Sequence, residues 1–414
     1  MDRQKVRRHF YFRLIITSAL VGGLASILAL LLKTITIFCQ DFLYETALEK
    51  KFLFVIFPTI GITGIYFLRK YFFKNRKNKG ITEIYKTVDQ RKDHLPLFKI
   101  PSHFINGFLT VIFGGSTGIE VSTVVASATI GNNIYQNRFS PNLYKLELIC
   151  AGVVAGVSIL FGSPIVGWLF AVEVIAKKLN KSIFVSCTMS AMVAWGFLLV
   201  MKPDIFLDYH ITDWKWSAFP FFIVLSLLGG TLSVYFTLLV TRLKNFFSGI
   251  NNNFFRVNLG ATTVGLMILV FPFLYGDSYH ALAPLLQHPT QYSMLFLLSL
   301  VVLKPLASAL TLGAGGDGGV FAPSIVVGGF LGFLFAYVCN NYLGTSLIYL
   351  NFMLVGAAAT LSASIYAPLT ALFLVCNLAP NAYVLFFPLL MASFISRYFA
   401  GKLLPYNVYT YQMK

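Results

Sequence analysis

Glu120 is the one Asp, Glu, Lys or Arg between residue 100 and residue 137, with 20 uncharged positions before it and 17 after it. A carboxylate in such apolar surroundings is costly to bury, and inside a membrane an ionisable side chain marks a pathway or cavity, not a lipid-facing surface. Just ahead of it, Gly114, Gly115 and Gly118 supply a backbone that turns sharply and leaves amides free, and a new helix is predicted from Ile119 onward. A helix N-terminus attracts anions through its open N–H groups and its dipole. These residue types support the handling of an anion by partial charges, with one carboxylate able to change its own charge by taking a proton.

The elements that must hold such a site occur twice. Gly118-Ile119-Glu120-Val121-Ser122 and Gly319-Val320-Phe321-Ala322-Pro323 fall in register, and each is followed 13 residues after its first glycine by another, Gly131 and Gly332. Further on, Gly152 stands 12 residues before Pro164 and Gly356 stands 12 before Pro368; nine residues past the prolines come Glu173 and Asn377. The offset is 201 residues in the first block and 204 in the second, in the same order, which reads as a duplicated membrane unit. Corresponding Gly/Pro-interrupted segments in two halves point to a transporter's binding site. The expected organisation is a first repeat over 1–201, a linker over 202–215 and a second repeat over 216–414.

Composition agrees. Of 414 residues, 57% are hydrophobic and 11% charged, and the mean hydropathy of +0.74 excludes an ordinary soluble protein. Residues 14–32, 182–201 and 216–241 are uncharged runs long enough to span, and 318–396 holds 79 residues without a charge. Spans or short helices are predicted at 14–38, 52–68, from 81, 103 and 119, at 148–161, 165–175 and 182–200, and then at 221–241, 258–275, 295–312, 320–338, 352–364, 366–375 and 384–400. The net charge of +17 does not imply nucleic acid, because the cations flank apolar runs as topology signals. Arg3, Lys5, Arg7, Arg8 and Arg13 before the first span, and Arg69, Lys70, Lys74, Arg76, Lys77 and Lys79 after the second, place the N-terminus in the cytoplasm of a cell membrane, with 45–51 outside. The first span is read as retained. Five scattered cysteines and six histidines lack metal-ligand spacing, so neither a metal nor a cofactor is expected.

With these motifs in order along almost its whole length, the chain resembles the CLC family of chloride channels and chloride/proton exchangers. Gly118 to Ser122 is similar to the family's GxExP segment with Ser122 in place of proline, and Gly319 to Pro323 matches GxFxP in full. Asn78-Lys79-Gly80-Ile81-Thr82-Glu83 is similar to GSGIP with Lys79 at the serine and Thr82 at the proline. PIVGWLFAVEV, 164–174, resembles the segment before the exchangers' inner proton-transfer glutamate, and Val408-Tyr409-Thr410 resembles the terminal pore tyrosine motif.

The resemblance implies an all-α polytopic membrane protein of two duplicated, inverted halves of broken, tilted helices with the anion site between them, working as a homodimer in the lipid bilayer. It implies that Glu120 gates the path, ionised as a competitor for the anion and protonated when it swings away. Backbone at Lys79, Gly80, Ile81, Gly118, Ile119, Val320 and Phe321 and the hydroxyl of Tyr409 would line the path, with Tyr406 as the alternative tyrosine. Lys79 either faces the pore or belongs to the solvated cationic cluster.

Glu173 and Val174 are the proton-path candidates. Valine on the exchangers' glutamate position carries no proton, so channel-like or weakly coupled chloride permeation is expected. Chloride/proton or fluoride/proton antiport is the alternative, and a polytopic membrane enzyme or sensor a distant one. An enzyme needs a second positioned catalytic group, and Glu120 has no evident His, Cys or Asp companion.

Overall fold

A computed structural model describes residues 3–74, 76, 78–89, 94–138, 144–201 and 206–411. Lys77 and residues 202–205 of the expected linker lie outside the described residues. Sixteen α-helices occur among the described residues: α1 (Arg3–Glu49), α2 (Leu53–Tyr71), α3 (Ile81–Asp89), α4 (Lys99–Ile112), α5 (Glu120–Arg138), α6 (Lys145–Phe161), α7 (Pro164–Phe170), α8 (Lys181–Met201), α9 (Phe219–Ser248), α10 (Asn253–Val270), α11 (Leu282–Gln287), α12 (Met294–Ala314), α13 (Phe321–Tyr342), α14 (Tyr349–Ile365), α15 (Pro368–Cys376) and α16 (Phe386–Leu403). Eight of the described helical stretches are long and apolar enough to cross a membrane.

The clearest departures from the sequence reading are at α1, α9 and the segment after Pro164. The span expected at 14–38 is the middle of a 47-residue helix, so the loop expected at 45–51 shrinks to 50–52. No glycine or proline interrupts residues 39–49, and polar side chains on one face do not stop a helix. Helix α9 runs past Arg242 and Lys244 to Ser248 for the same reason. The segment after Pro164 is α-helical only to Phe170 and then winds as a π-helix over Ala171–Ala176, the turn that carries Glu173 and Val174. Such wide turns recur at functional sites.

The helices group into two compact units. The first comprises Met1–Ile35, Asn78–Ile105 and Glu120–Asp204; the second comprises Thr36–Lys77, Asn106–Ile119 and Ile205–Lys414. Within the first, α5 and α6 approach so closely that a methyl group on Gly131 would strike the Leu148 carbonyl and one on Gly152 the Ser127 carbonyl. Within the second, α13 and α14 repeat the contact, Gly332 against the Phe352 carbonyl and Gly356 against that of Gly328. Residues 127 and 131 map to 328 and 332 at an offset of 201, and 148 and 152 map to 352 and 356 at an offset of 204. The same small-residue helix pair is therefore built twice, at the two spacings found in the sequence. Small residues suit helices packing in lipid, where close backbone approach replaces the hydrophobic drive available in water.

Candidate anion site

In the second unit the glycine segments of the two repeats meet. Gly118 and Gly319 form an antiparallel bridge, the only isolated β-bridge among the described residues. Flanking bonds are reciprocal: Ser116 N–H donates to Thr311 Oγ1 (3.1 Å) and Asp317 N–H donates to Thr110 Oγ1 (2.9 Å). Thr110 and Thr311, like Ser116 and Asp317, are 201 residues apart, and antiparallel pairing of equivalent segments is what a local two-fold relation between inverted repeats requires. The turns close in the same way, Gly115 N–H on the Thr110 carbonyl (2.7 Å) and Gly316 N–H on that of Thr311 (2.9 Å). Gly318 has φ +157° with Thr117 packed where a side chain would begin, so no larger residue fits.

Directly after this bridge Val320 precedes the first turn of α13 and Phe321 opens it, both buried. The Tyr409 ring lies 6.3 Å from that of Phe321, centroid to centroid, and is also buried. Asn407 fixes it there: the Asn407 Oδ1 accepts from Tyr409 N–H at 3.0 Å, and its Nδ2 donates to the Ile365 carbonyl at 3.0 Å. Tyr406 is half-buried, and its carbonyl accepts from the Tyr366 hydroxyl.

In the first unit Glu120 is the opening residue of α5, not the second as predicted, and only 5% of it is exposed. Position 120 is equivalent to 321, so a carboxylate stands where the other repeat has a phenyl ring. A negative side chain in the first helical turn interacts favourably with the helix dipole. The start of α3 is brought to the same place: a side chain on Gly80 would meet Val121, and Gly80 has φ +62°. Ile81 is fully buried, whereas the Lys79 side chain is exposed. Lys79 N–H donates to Glu83 Oε1 at 2.6 Å, so that amide is engaged by the chain's own carboxylate.

Glu83 in turn pairs with Lys99 Nζ (2.9 Å) and lies 3.9 Å from His103 Nε2. Lys99 Nζ and Ser102 Oγ both donate to Asn78 Oδ1 at 3.2 Å. Burial raises the pKa of the Glu83 carboxyl, but the hydrogen bonds and charges of His103 and Lys99 outweigh it and leave the net value below the usual carboxylate range. Behind α3, the Tyr85 hydroxyl donates to the Val174 carbonyl at 3.0 Å. Val174 is buried and Glu173 beside it is half-buried.

The candidate residues thus fall into two sets, Gly118, Val320, Phe321 and Tyr409 in one unit and Gly80, Ile81, Glu120 and Val174 in the other. Three residues escaped the sequence reading: Glu83, which holds the start of α3; His103; and Lys304, a lysine with no exposed surface. The repeat offset contained a signal for the last two, since 103 and 304 differ by 201 and both are basic.

Membrane-length helices interrupted by glycine segments, repeated at offsets of 201 and 204 residues and bridged at Gly118 and Gly319, define a broken-helix membrane transport protein. A family described as voltage gated chloride channel matches residues 60–401, and the chain belongs to that family. It is an integral multi-pass membrane protein. It is 26% identical over 368 residues to the H(+)/Cl(-) exchange transporter ClcA of Yersinia pestis bv. Antiqua (strain Angola), covering 84% of this chain and 75% of the relative. It is likewise 26% identical over 344 residues to the ClcA of Vibrio vulnificus (strain YJ016), covering 79% and 72%. Among solved structures, a slow cyanobacterial Cl-/H+ antiporter superposes with a TM-score of 0.82 at 19% identity, covering 97% of both chains. A CLC-type fluoride/proton antiporter gives 0.80 at 23% identity, covering 99% of this chain and 98% of that one.

Proposed function

We propose that the protein exchanges a small anion, chloride in the first instance, for protons across a cell membrane, with Glu120 as the shared gate. The observation that carries this reading is the buried carboxylate at the first position of α5, where the equivalent position of the other repeat is Phe321. Ionised, it competes with the anion for the helix start; protonated, it loses that claim and leaves the path open. Val320, Phe321 and Tyr409 form the rest of the anion path, and the burial of Tyr409 against Phe321 supports it over Tyr406. Lys79, exposed in the cationic cluster, acts as a topology residue with the N-terminus cytoplasmic, and the working form is a homodimer.

Exchange takes precedence over the channel-like permeation expected from Val174 because the curated relatives at 26% identity carry the name of exchange transporters. Channel-like permeation is the second reading, and the apolar side chain of Val174 favours it. Proteoliposomes with an imposed chloride gradient and no pH gradient decide between them. Exchange drives protons uphill at a fixed ratio to chloride, and Glu120→Ala abolishes that movement while chloride flux continues. Chloride flux with no proton movement in the wild-type protein supports the channel and overturns exchange.

A further inference from the structure

Lys304 lies in the middle of α12 with no exposed surface. Its Nζ donates to Ser116 Oγ (2.8 Å), Ser278 Oγ (2.6 Å) and the Gly276 carbonyl (2.9 Å), and Asp277 and His280 of the same connection stand within electrostatic reach. All of these groups belong to the second unit. A buried ammonium is tolerated only when its donors are satisfied, and a satisfied one projects positive potential through a medium that screens it poorly. The residue it grips is informative. Ser116 is held a second time, by Thr311 Oγ1 on its amide, so two residues of α12 that are two helical turns apart pin one loop residue by side chain and by backbone. Ser116 stands two residues before the Gly118 bridge and four before Glu120.

The duplication strengthens the case. Lys304 precedes Gly319 by 15 residues, and in the other repeat the residue 15 before Gly118 is His103, also basic and also without exposed surface. Each repeat therefore carries a buried basic side chain at the same sequence position, 15 residues before the first glycine of its motif.

We propose that Lys304 is a positioning residue for anion transport, the permanent cation that fixes the 116–118 segment ahead of Glu120 and holds the anion path at positive potential. The inference rests on the reading of Glu120 as gate, and wild-type flux measured alongside separates the two. If wild-type protein carries no pH-dependent anion flux, that reading fails; if it does and the variants below match it, only the role of Lys304 fails.

The experiment compares Lys304→Met, Lys304→Arg and Ser116→Ala in proteoliposomes, with flux followed from pH 4 to pH 9 and halide affinity measured by calorimetry on the detergent-purified protein. Removing a buried charge changes the electrostatic potential along the segment it anchors, and with it the balance between charged and neutral forms of any acid that shares the path. Loss of the cation disfavours negative charge on the path, whether carboxylate or halide, so Lys304→Met shifts the flux midpoint to higher pH and weakens halide binding severalfold. Lys304→Arg restores both. Ser116→Ala keeps the charge and frees the segment, so it lowers flux without moving the midpoint. A folded Lys304→Met protein with the wild-type midpoint and affinity overturns the proposal. Where Lys304→Met does not fold, Ser116→Ala with wild-type flux overturns it.

Discussion

Glu120 and Phe321 occupy one position in two copies of the same helix start, and on the proposed reading the carboxylate gates the path while the phenyl ring only lines it. On the same reading Tyr409, buried beside Phe321, lends its hydroxyl to the path. Tyr409→Phe is expected to weaken anion binding by about 0.5–1.5 kcal/mol, the usual net value of a hydrogen bond, while Tyr406→Phe leaves it unchanged. Halide titration calorimetry reads both, and equal effects would remove the distinction. Glu120 and Phe321 were legible in the sequence because one is an isolated charge and the other sits in an undisturbed GVFAP. Lys304 was not, because its partners Ser116 and Ser278 are 188 and 26 residues away and leave no local pattern. Lys79 showed the opposite limit: a substituted motif position identified the residue but not the direction of its side chain, which turns to solvent.

At the scale of elements, the glycines do the placing. Gly332 lets α13 lie against the backbone of α14 at Phe352, and any side chain there overlaps a carbonyl that cannot move alone. Gly332→Val should destabilise the protein by at least the roughly 1–3 kcal/mol of an overpacked core, read as a lower melting temperature in detergent, whereas Gly23→Ala, where nothing lies nearby, should not. The duplication of these glycines was legible in their 13-residue spacing, but the helix contact they serve was not, because its partner residues lie on the next helix. The anchor of α3 was not: Glu83 reaches back to Lys79 N–H locally, but its partners Lys99 and His103 come from the next helix. Because the Glu83 pKa is lowered by folding, its stabilisation is complete above the ordinary carboxylate range and is lost as pH falls through the lowered value. Glu83→Gln should therefore melt earlier than wild type near neutral pH and change less than wild type between about pH 5 and pH 3. Parallel pH profiles of the two proteins would rule Glu83 out as the acid-sensitive anchor.

For the molecule as a transporter, the open question is how a proton reaches Glu120 when the position expected to relay it is Val174. Val174 is buried and its carbonyl is taken by Tyr85, so neither side chain nor free backbone on that residue carries a proton. Glu173 is the adjacent ionisable group and is half-buried, but successive side chains diverge by about 100° on an α-helix and only slightly less on the wider turn of Ala171–Ala176. A carboxylate at 173 therefore does not occupy the direction that one at 174 would have. Exchange on this geometry calls for protons to travel over water to Glu120, with the carboxylate at the head of α5 as the one obligatory titrating side chain. Glu173→Gln is then expected to leave the ratio of protons to chloride unchanged in proteoliposomes under a chloride gradient, while Glu120→Ala abolishes proton movement. Val174→Glu, which supplies a relay at the missing position, should raise the turnover rate without altering the ratio. If Glu173→Gln instead stops protons while chloride continues to move, the wide turn of Ala171–Ala176 has redirected Glu173 into the proton route, and the water path is wrong.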